Sequence, residues 1–377
     1  MLEKNFEEEI RVKITVCGSK IGTVSKFIDK KLGGGGNNLQ IDCSTQIFGN
    51  PLKIDGIDNV DFFEFLRRYR AGSIDAIIVS SSVGEMKISK EIVRKLKLNR
   101  VDKIAVYFDL FFVNNSLTWL DFEKYFFPYI EINLIDGCNL SCKGCSHFAP
   151  LYSKEEFYNL ETFERDLKQF SRKCDLSAIR FVGGEPLLVK NIDEYINIVR
   201  KIFPVIAIDI LTNGTLIPNL TPDLLKYLSR ENVSFCISDY PPMEKSKDQI
   251  DKILNEYSIS HQFIPKGTFR TILRKESGLS DPLTALKICG CKGSKILRNG
   301  KLYRCPIDAL QPRYNEKFPD APRKLPNSTW IDVYNPNFTE MIDLLDEPVE
   351  MCQYCVETPG QFEWRNLPNP NSESWSV

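Results

Sequence analysis

Histidine is nearly absent from this sequence, with only His147 and His261 among 377 residues. A mechanism that passes protons between several imidazoles therefore has no material to work with. Charge of one sign is absent too. The 49 Lys and Arg balance 50 Asp and Glu to a formal net charge of -1, so there is no basic field to hold a phosphate backbone, and nucleic acid is excluded as a general partner. Long apolar runs are also missing. The stretches around Ile104–Val113 and Tyr125–Ile135 are broken by Asp109, or by Pro128 and Glu131, short of the ~18 residues that a membrane-spanning helix needs. The acidic start, Met1 to Ile10, is unlike a secretory signal. A cytoplasmic protein with no membrane partner is expected.

What is present fits a folded, metal-bearing chain. Apolar residues make up 42%, with 24 Phe and 14 Tyr, which is enough to build a core and argues against disorder. The length suits two or three domains of roughly 150 residues. In a reducing compartment the 12 unevenly spaced Cys point to metal rather than to disulfides.

Periodicity divides the chain. Val12–Cys17, Leu39–Asp42, Ala76–Ser80 and Ile104–Phe108 read as strands, with amphipathic helices at Val24–Leu32, Phe62–Tyr69 and Ile88–Leu96. Residues 1–120 are thus predicted to form a Rossmann-like parallel α/β domain. Its first turn, Gly18 to Gly22, with Asp42 some way downstream, carries two of the three glycines of a dinucleotide fingerprint. The alternative is a structural or docking domain. Gly33 to Gly36 reads as a mobile turn.

A second series has strands at Ile130–Leu134, Ala178–Val182, Ala207–Leu211, Val233–Ser238 and His261–Ile264. Its helices are at Leu160–Lys173, Ile192–Phe203, Asp223–Arg230 and Lys247–Tyr257. This predicts a complete or partial βα barrel over 125–282, with its chemistry at the carboxyl ends of the strands. Residues 283–357 form an irregular Cys-rich segment, and 358–377 an extended or disordered tail.

Directly after the first barrel strand comes Cys138-Asn-Leu-Ser-Cys142-Lys-Gly-Cys145. Three thiolates in one loop can wrap a metal centre but leave a tetrahedral or cubane site one ligand short. His147 could close a structural zinc site as the fourth ligand. The next strand ends carry Gly183-Gly184-Glu185-Pro186, Thr212-Asn213-Gly214 and Ser238-Asp239-Tyr240. Glycines permit close backbone approach, and a carboxylate complements a cation.

A C-x3-C-x2-C loop after a strand of a βα barrel resembles the radical S-adenosylmethionine (SAM) superfamily, and the following strand ends match that pattern. The resemblance implies a [4Fe-4S] cluster on Cys138, Cys142 and Cys145, with its unique iron open to SAM. Gly183, Gly184 and Glu185 would hold the methionine ammonium, and Thr212, Asn213, Ser238 and Asp239 would line the SAM site. One departure is Gly144, where the family usually has an aromatic residue over the adenine; Phe148 or His147 are the candidates to replace it. Beyond the barrel, Cys289-x10-Gly300-x4-Cys305 followed by Cys352-x2-Cys355 resembles the twitch form of the SPASM extension. That implies one auxiliary [4Fe-4S] cluster on Cys289, Cys305, Cys352 and Cys355, with Cys291 spare. A zinc ribbon on the same four thiolates is the alternative. Cys17, Cys43, Cys174 and Cys236 read as small buried apolar residues.

The resemblance spans residues 129–357 and implies a radical SAM oxidoreductase that works with a reductant such as flavodoxin or ferredoxin. The leading reaction is oxidation of a small-molecule substrate: a sugar, a cyclitol or a nucleotide-linked compound. The competing readings are a peptide maturase forming crosslinks or epimers, and a non-catalytic metal-binding scaffold. The cobalamin-dependent branch is disfavoured because no D-x-H-x-x-G run occurs. No catalytic side chain is assigned.

Overall fold

A computed structural model describes residues 12–17, 39–45, 58–82, 86–110, 114–154, 156–274, 278–291, 293–358 and 360–376. The chain divides into two compact units. One is Met1–Leu110, Asn115–Pro128 and Asp175–Ser177; the other is Phe111–Asn114, Tyr129–Cys174 and Ala178–Val377.

The first unit is a sheet of strands β1 (Val12–Cys17), β2 (Leu39–Thr45), β3 (Asp58–Val60), β4 (Ala76–Ser82), β5 (Ile104–Leu110) and β6 (Asn114–Trp119). Their order is β3-β2-β1-β4-β5-β6, and β3, β2, β1, β4 and β5 pair in parallel. This is the strand order of a Rossmann-like domain, reversing between β1 and β4. Val79, Val106 and Phe108 are fully buried, as a parallel sheet covered on both faces requires. Helix α1 (Phe62–Arg70) starts where the Asp61 carboxylate accepts the Glu64 backbone N–H at 2.8 Å. Helix α2 (Met86–Leu98) buries Ile92 and Leu96, one turn apart. Strand β2 continues three residues past the expected end at Asp42. The Gly18 to Gly22 turn, the Val24–Leu32 helix and the glycine run at 33–36 lie outside the described residues.

In the second unit strands alternate with helices: β7 (Tyr125–Ile135), α3 (Leu160–Ser171), β8 (Cys174–Gly183), α4 (Ile192–Ile202), β9 (Ala207–Thr212), α5 (Pro222–Arg230), β10 (Val233–Asp239), α6 (Lys247–Glu256) and β11 (His261–Pro265). Phe163, Leu167 and Phe170 form the buried stripe of α3, and the Thr221 hydroxyl caps α5 ahead of Pro222. Strand β12 (Thr268–Arg270) and helix α7 (Pro282–Ile288) follow. The chain then forms the hairpin β13 (Ile296–Arg298) and β14 (Lys301–Tyr303), helix α8 (Pro306–Leu310) and strand β15 (Trp330–Asp332). The sheet order is β11-β10-β9-β8-β7-β13-β14-β15, an open sheet rather than a closed barrel, with parallel pairs from β11 to β8 and between β7 and β13 and antiparallel pairs from β13 to β15.

The sheet does not stop at residue 282. Ile296 and Leu297 of β13 pair in parallel with Glu131 and Ile132 of β7, so the Cys-rich segment extends the barrel wall. Asn299 and Gly300, both at positive φ, make the tight turn of the β13–β14 hairpin. Inside the wall Arg180, Asp209 and Ser234 lie in register on β8, β9 and β10. Arg180 pairs with Asp209 at 2.6 Å and the Ser234 hydroxyl donates to Asp209 at 3.0 Å, all buried. Among the described residues no helix is long and apolar enough to cross a membrane.

Candidate active site

The three-cysteine loop leaves the carboxyl end of β7 and is tied to the next two strand ends. The Gly184 N–H donates to the Ile135 carbonyl at 2.7 Å, and the Glu185 N–H to the Gly137 carbonyl at 3.1 Å. A Cβ on Gly184 would lie 1.9 Å from the Gly137 oxygen, and one on Gly183 would lie 2.2 Å from the Ile135 oxygen. Both glycines are therefore required by contact between backbones at the root of the loop.

Glu185 is wholly buried. Its carboxylate accepts the Thr212 hydroxyl at 2.7 Å, the Asn213 N–H at 2.8 Å and the Leu187 N–H at 3.0 Å. Burial raises its pKa and these donors oppose the rise. The Asn213 side-chain amide reaches Asn139 Oδ1 at 2.8 Å and Cys138 Sγ at 3.6 Å, while Asn139 Nδ2 donates to Thr215 Oγ1 at 2.8 Å. Glu185, Thr212, Asn213 and Cys138 thus form one continuous network. Ser238 is buried at the end of β10. Its neighbour Asp239 is occupied by Lys247, whose Nζ lies 2.5 Å from Oδ2.

All three thiols are largely shielded. Burial pushes the pKa of Cys142 up to about 12 and raises those of Cys138 and Cys145. The Leu140 N–H points at Cys138 Sγ at 3.4 Å, and the Trp364 indole N–H at Cys142 Sγ at 3.2 Å. Sulfur atoms that already accept N–H groups are suited to becoming ligands. Phe148 packs in the core against Trp375 at 5.2 Å between ring centroids, so it does not stand over this site. The ring beside Gly144 is Phe362, whose Cζ lies 2.8 Å from where a Cβ on Gly144 would be. His147 has a buried Nε2 with no hydrogen-bond partner, and burial lowers its pKa to about 4. Among the described residues no three His, Cys, Asp or Glu side chains gather as ligands of a single ion.

The second cysteine group converges as well. Cys289 follows α7, Cys305 caps α8 with its Sγ 3.5 Å from the Asp308 N–H, and Cys352 lies within the short helical turn Glu350–Tyr354 that Cys355 ends. Cys289, Cys305, Cys352 and Cys355 line one small cavity together with Arg304 and Met351. Cys291 lies outside that lining; its backbone N–H donates to Cys289 Sγ at 3.3 Å. Asp308, buried beside the cavity, has its pKa raised to about 7 by loss of solvent.

The residues that sequence reasoning missed are in the tail. Residues 361–363 form β16, which pairs antiparallel with β12. The Lys143 N–H donates to the Arg365 carbonyl at 3.0 Å, and Leu367 returns one to Ser141. Trp375 is buried, and its indole N–H donates to the Cys145 carbonyl at 2.9 Å. In place of an extended or disordered tail, a packed strap holds the cysteine loop. Its one signal in the sequence is that two of the chain's four Trp are Trp364 and Trp375.

An α/β wall with a three-cysteine loop at the end of its first strand, meeting a buried glutamate at the end of the second, is the arrangement expected of a radical SAM domain. In agreement, residues 132–261 match the family described as the Radical SAM superfamily. The GTP 3',8-cyclase of Helicobacter pylori is 36% identical over 109 residues, 28% of this chain and 34% of that protein. The one from Thermodesulfovibrio yellowstonii is 35% identical over the same shares. The chain thus spans about a third of the length of these curated relatives. Among solved structures, BtrN in complex with AdoMet and 2-DOIA is 19% identical, covering 62% of this chain and 95% of that one, with a TM-score of 0.38. Streptococcus suis SuiB bound to S-adenosylmethionine is 13% identical, covering 74% and 75%, with a TM-score of 0.34. A radical SAM domain works with a [4Fe-4S] cluster and SAM, and the family match ends at residue 261, ahead of the Cys-rich segment.

Proposed function

We propose that this protein is a radical SAM oxidoreductase acting on a small molecule: a sugar, a cyclitol or a nucleotide-linked compound. Cys138, Cys142 and Cys145 would hold the SAM-binding [4Fe-4S] cluster, and Cys289, Cys305, Cys352 and Cys355 the auxiliary one. When bound and reduced by one electron, SAM supplies a 5′-deoxyadenosyl radical able to take hydrogen from unactivated carbon. The chain's share is positioning and exclusion of water. Glu185 fixes the ends of β8 and β9 beside the loop, and Asn139 and Asn213 lock the loop to them. The observation that carries the reading is the four-thiol cavity in the same unit as the three-cysteine loop, a second cluster site of the kind that suits a net two-electron oxidation. The Rossmann-like strand order suits a nucleotide-linked or phosphorylated substrate, as does the name of the GTP 3',8-cyclase relatives.

The test is anaerobic reconstitution with iron, sulfide, reductant and SAM, followed by a search for substrates that transfer deuterium into 5′-deoxyadenosine. About eight iron per chain are expected, as for two four-iron clusters. Replacing Cys138, Cys142 and Cys145 together by Ala should remove about half of that iron and all SAM cleavage. Unchanged iron in the triple variant would overturn the assignment. Deuterium transfer from peptides alone would replace the small-molecule substrate with a peptide.

A further inference from the structure

The strap touches the cysteine loop through a group that needs a purpose. Trp364 lies 222 residues beyond Cys142, yet its indole N–H points at Cys142 Sγ at 3.2 Å. The placement is held from several sides. The Ser141 N–H donates to Asn366 Oδ1 at 3.0 Å, and Cys142 and Asn366 form a bridge of antiparallel type. The Trp364 ring stacks against Tyr240, at the end of β10, with centroids 6.2 Å apart and planes 29° apart. Phe362 and Phe269 continue that aromatic layer. Trp375 anchors the far end of the strap in the core. An indole N–H is a donor only and has no other hydrogen-bonding use, so Cys142 sulfur is its acceptor in a half-buried setting.

We infer that Trp364 is a positioning residue that sets the reduction potential of the cluster on Cys138, Cys142 and Cys145, an inference that rests on the function proposed above. Reduction takes the core from [4Fe-4S]2+ to [4Fe-4S]+ with one electron from a low-potential donor of the flavodoxin or ferredoxin class. No bond breaks, and the proton stays on the indole nitrogen. The added negative charge spreads onto the thiolate sulfurs, so an N–H aimed at Cys142 stabilises the reduced state more than the oxidised one. The strap thereby makes the cluster easier to reduce.

The test compares the full-length parent with Trp364→Phe, which keeps a ring and removes the N–H. Both are reconstituted anaerobically and titrated by EPR, following the signal that changes when SAM is added. At the parent's midpoint potential, the reduced-to-oxidised ratio of the variant should fall about three- to tenfold. Tenfold corresponds to 59 mV for one electron. An equal midpoint with equal iron would overturn the inference while leaving the cluster assignment intact. Failure of the parent itself to form a SAM-responsive cluster would instead overturn the proposed function. If the variant loses iron, the parent grown with 15N-indole tryptophan decides the matter. A 15N coupling to the reduced cluster in pulsed EPR is expected, and its absence would overturn the contact.

Discussion

At the scale of single residues, Glu185 braces two strand ends and is, in the proposed function, also a SAM-binding group. Its carboxylate satisfies three buried donors, each of which costs roughly 1–3 kcal/mol if stranded. Glu185→Ala should lower stability by at least that much, read as the urea midpoint of the apoprotein. Glu185→Gln keeps one acceptor oxygen but turns an NH2 toward a buried N–H, so it should lose roughly 1–3 kcal/mol, less than the Ala variant. Its SAM affinity should nonetheless drop about ten- to hundredfold, the equivalent of a charge-assisted hydrogen bond of roughly 1.5–3 kcal/mol. Unchanged SAM affinity in a folded Gln variant would make Glu185 a structural brace alone. Cysteine choice is testable in the same way. Cys289 lines the four-thiol cavity and Cys291 does not. Cys289→Ala should remove about half the iron expected of two four-iron clusters, and Cys291→Ala should remove little; the reverse outcome would exchange their roles.

At the scale of elements, much of the second unit was legible because a buried parallel sheet writes itself as short apolar runs between amphipathic helices. Strand β9 begins at the expected Ala207 and ends one residue beyond Leu211. What escaped reading was short or made by distant pairing. Strand β13 has three residues, too few to show a period, and is a strand because β7 offers it an edge. The strap's Pro-, Asn- and Ser-rich composition signals a loop, whereas its fold is decided by two tryptophans that meet partners far away in sequence. The weight of that contact can be measured. Trp375 is almost fully buried among Phe148, Tyr314 and Phe318. Trp375→Ala should therefore cost about 3–5 kcal/mol in a denaturant titration of the apoprotein. A loss below about 1 kcal/mol would show that the strap is only loosely seated.

At the scale of the whole molecule, both cysteine groups belong to one unit and share one hydrophobic core. Phe148, just after the three-cysteine loop, packs in the same cluster as Cys305, with Cys352 and Cys355 against its edge. Damage to either group should therefore be felt through common packing, which is why iron content and stability have to be measured side by side. The strap adds a matter of timing. Cys138, Cys142 and Cys145 are neighbours in the chain and can collect iron as soon as the end of β7 is in place. The lid made by Trp364 closes a contact across 222 residues, and contacts of such separation form late. Assembly thus has an open interval, in which the loop is accessible, followed by a closed one. Iron and sulfide supplied during refolding should enter faster than when supplied to the folded apoprotein. Trp375→Ala, by loosening the lid, should narrow that difference in stopped-flow absorbance; equal uptake rates in all cases would mean that the strap does not gate delivery of the metal.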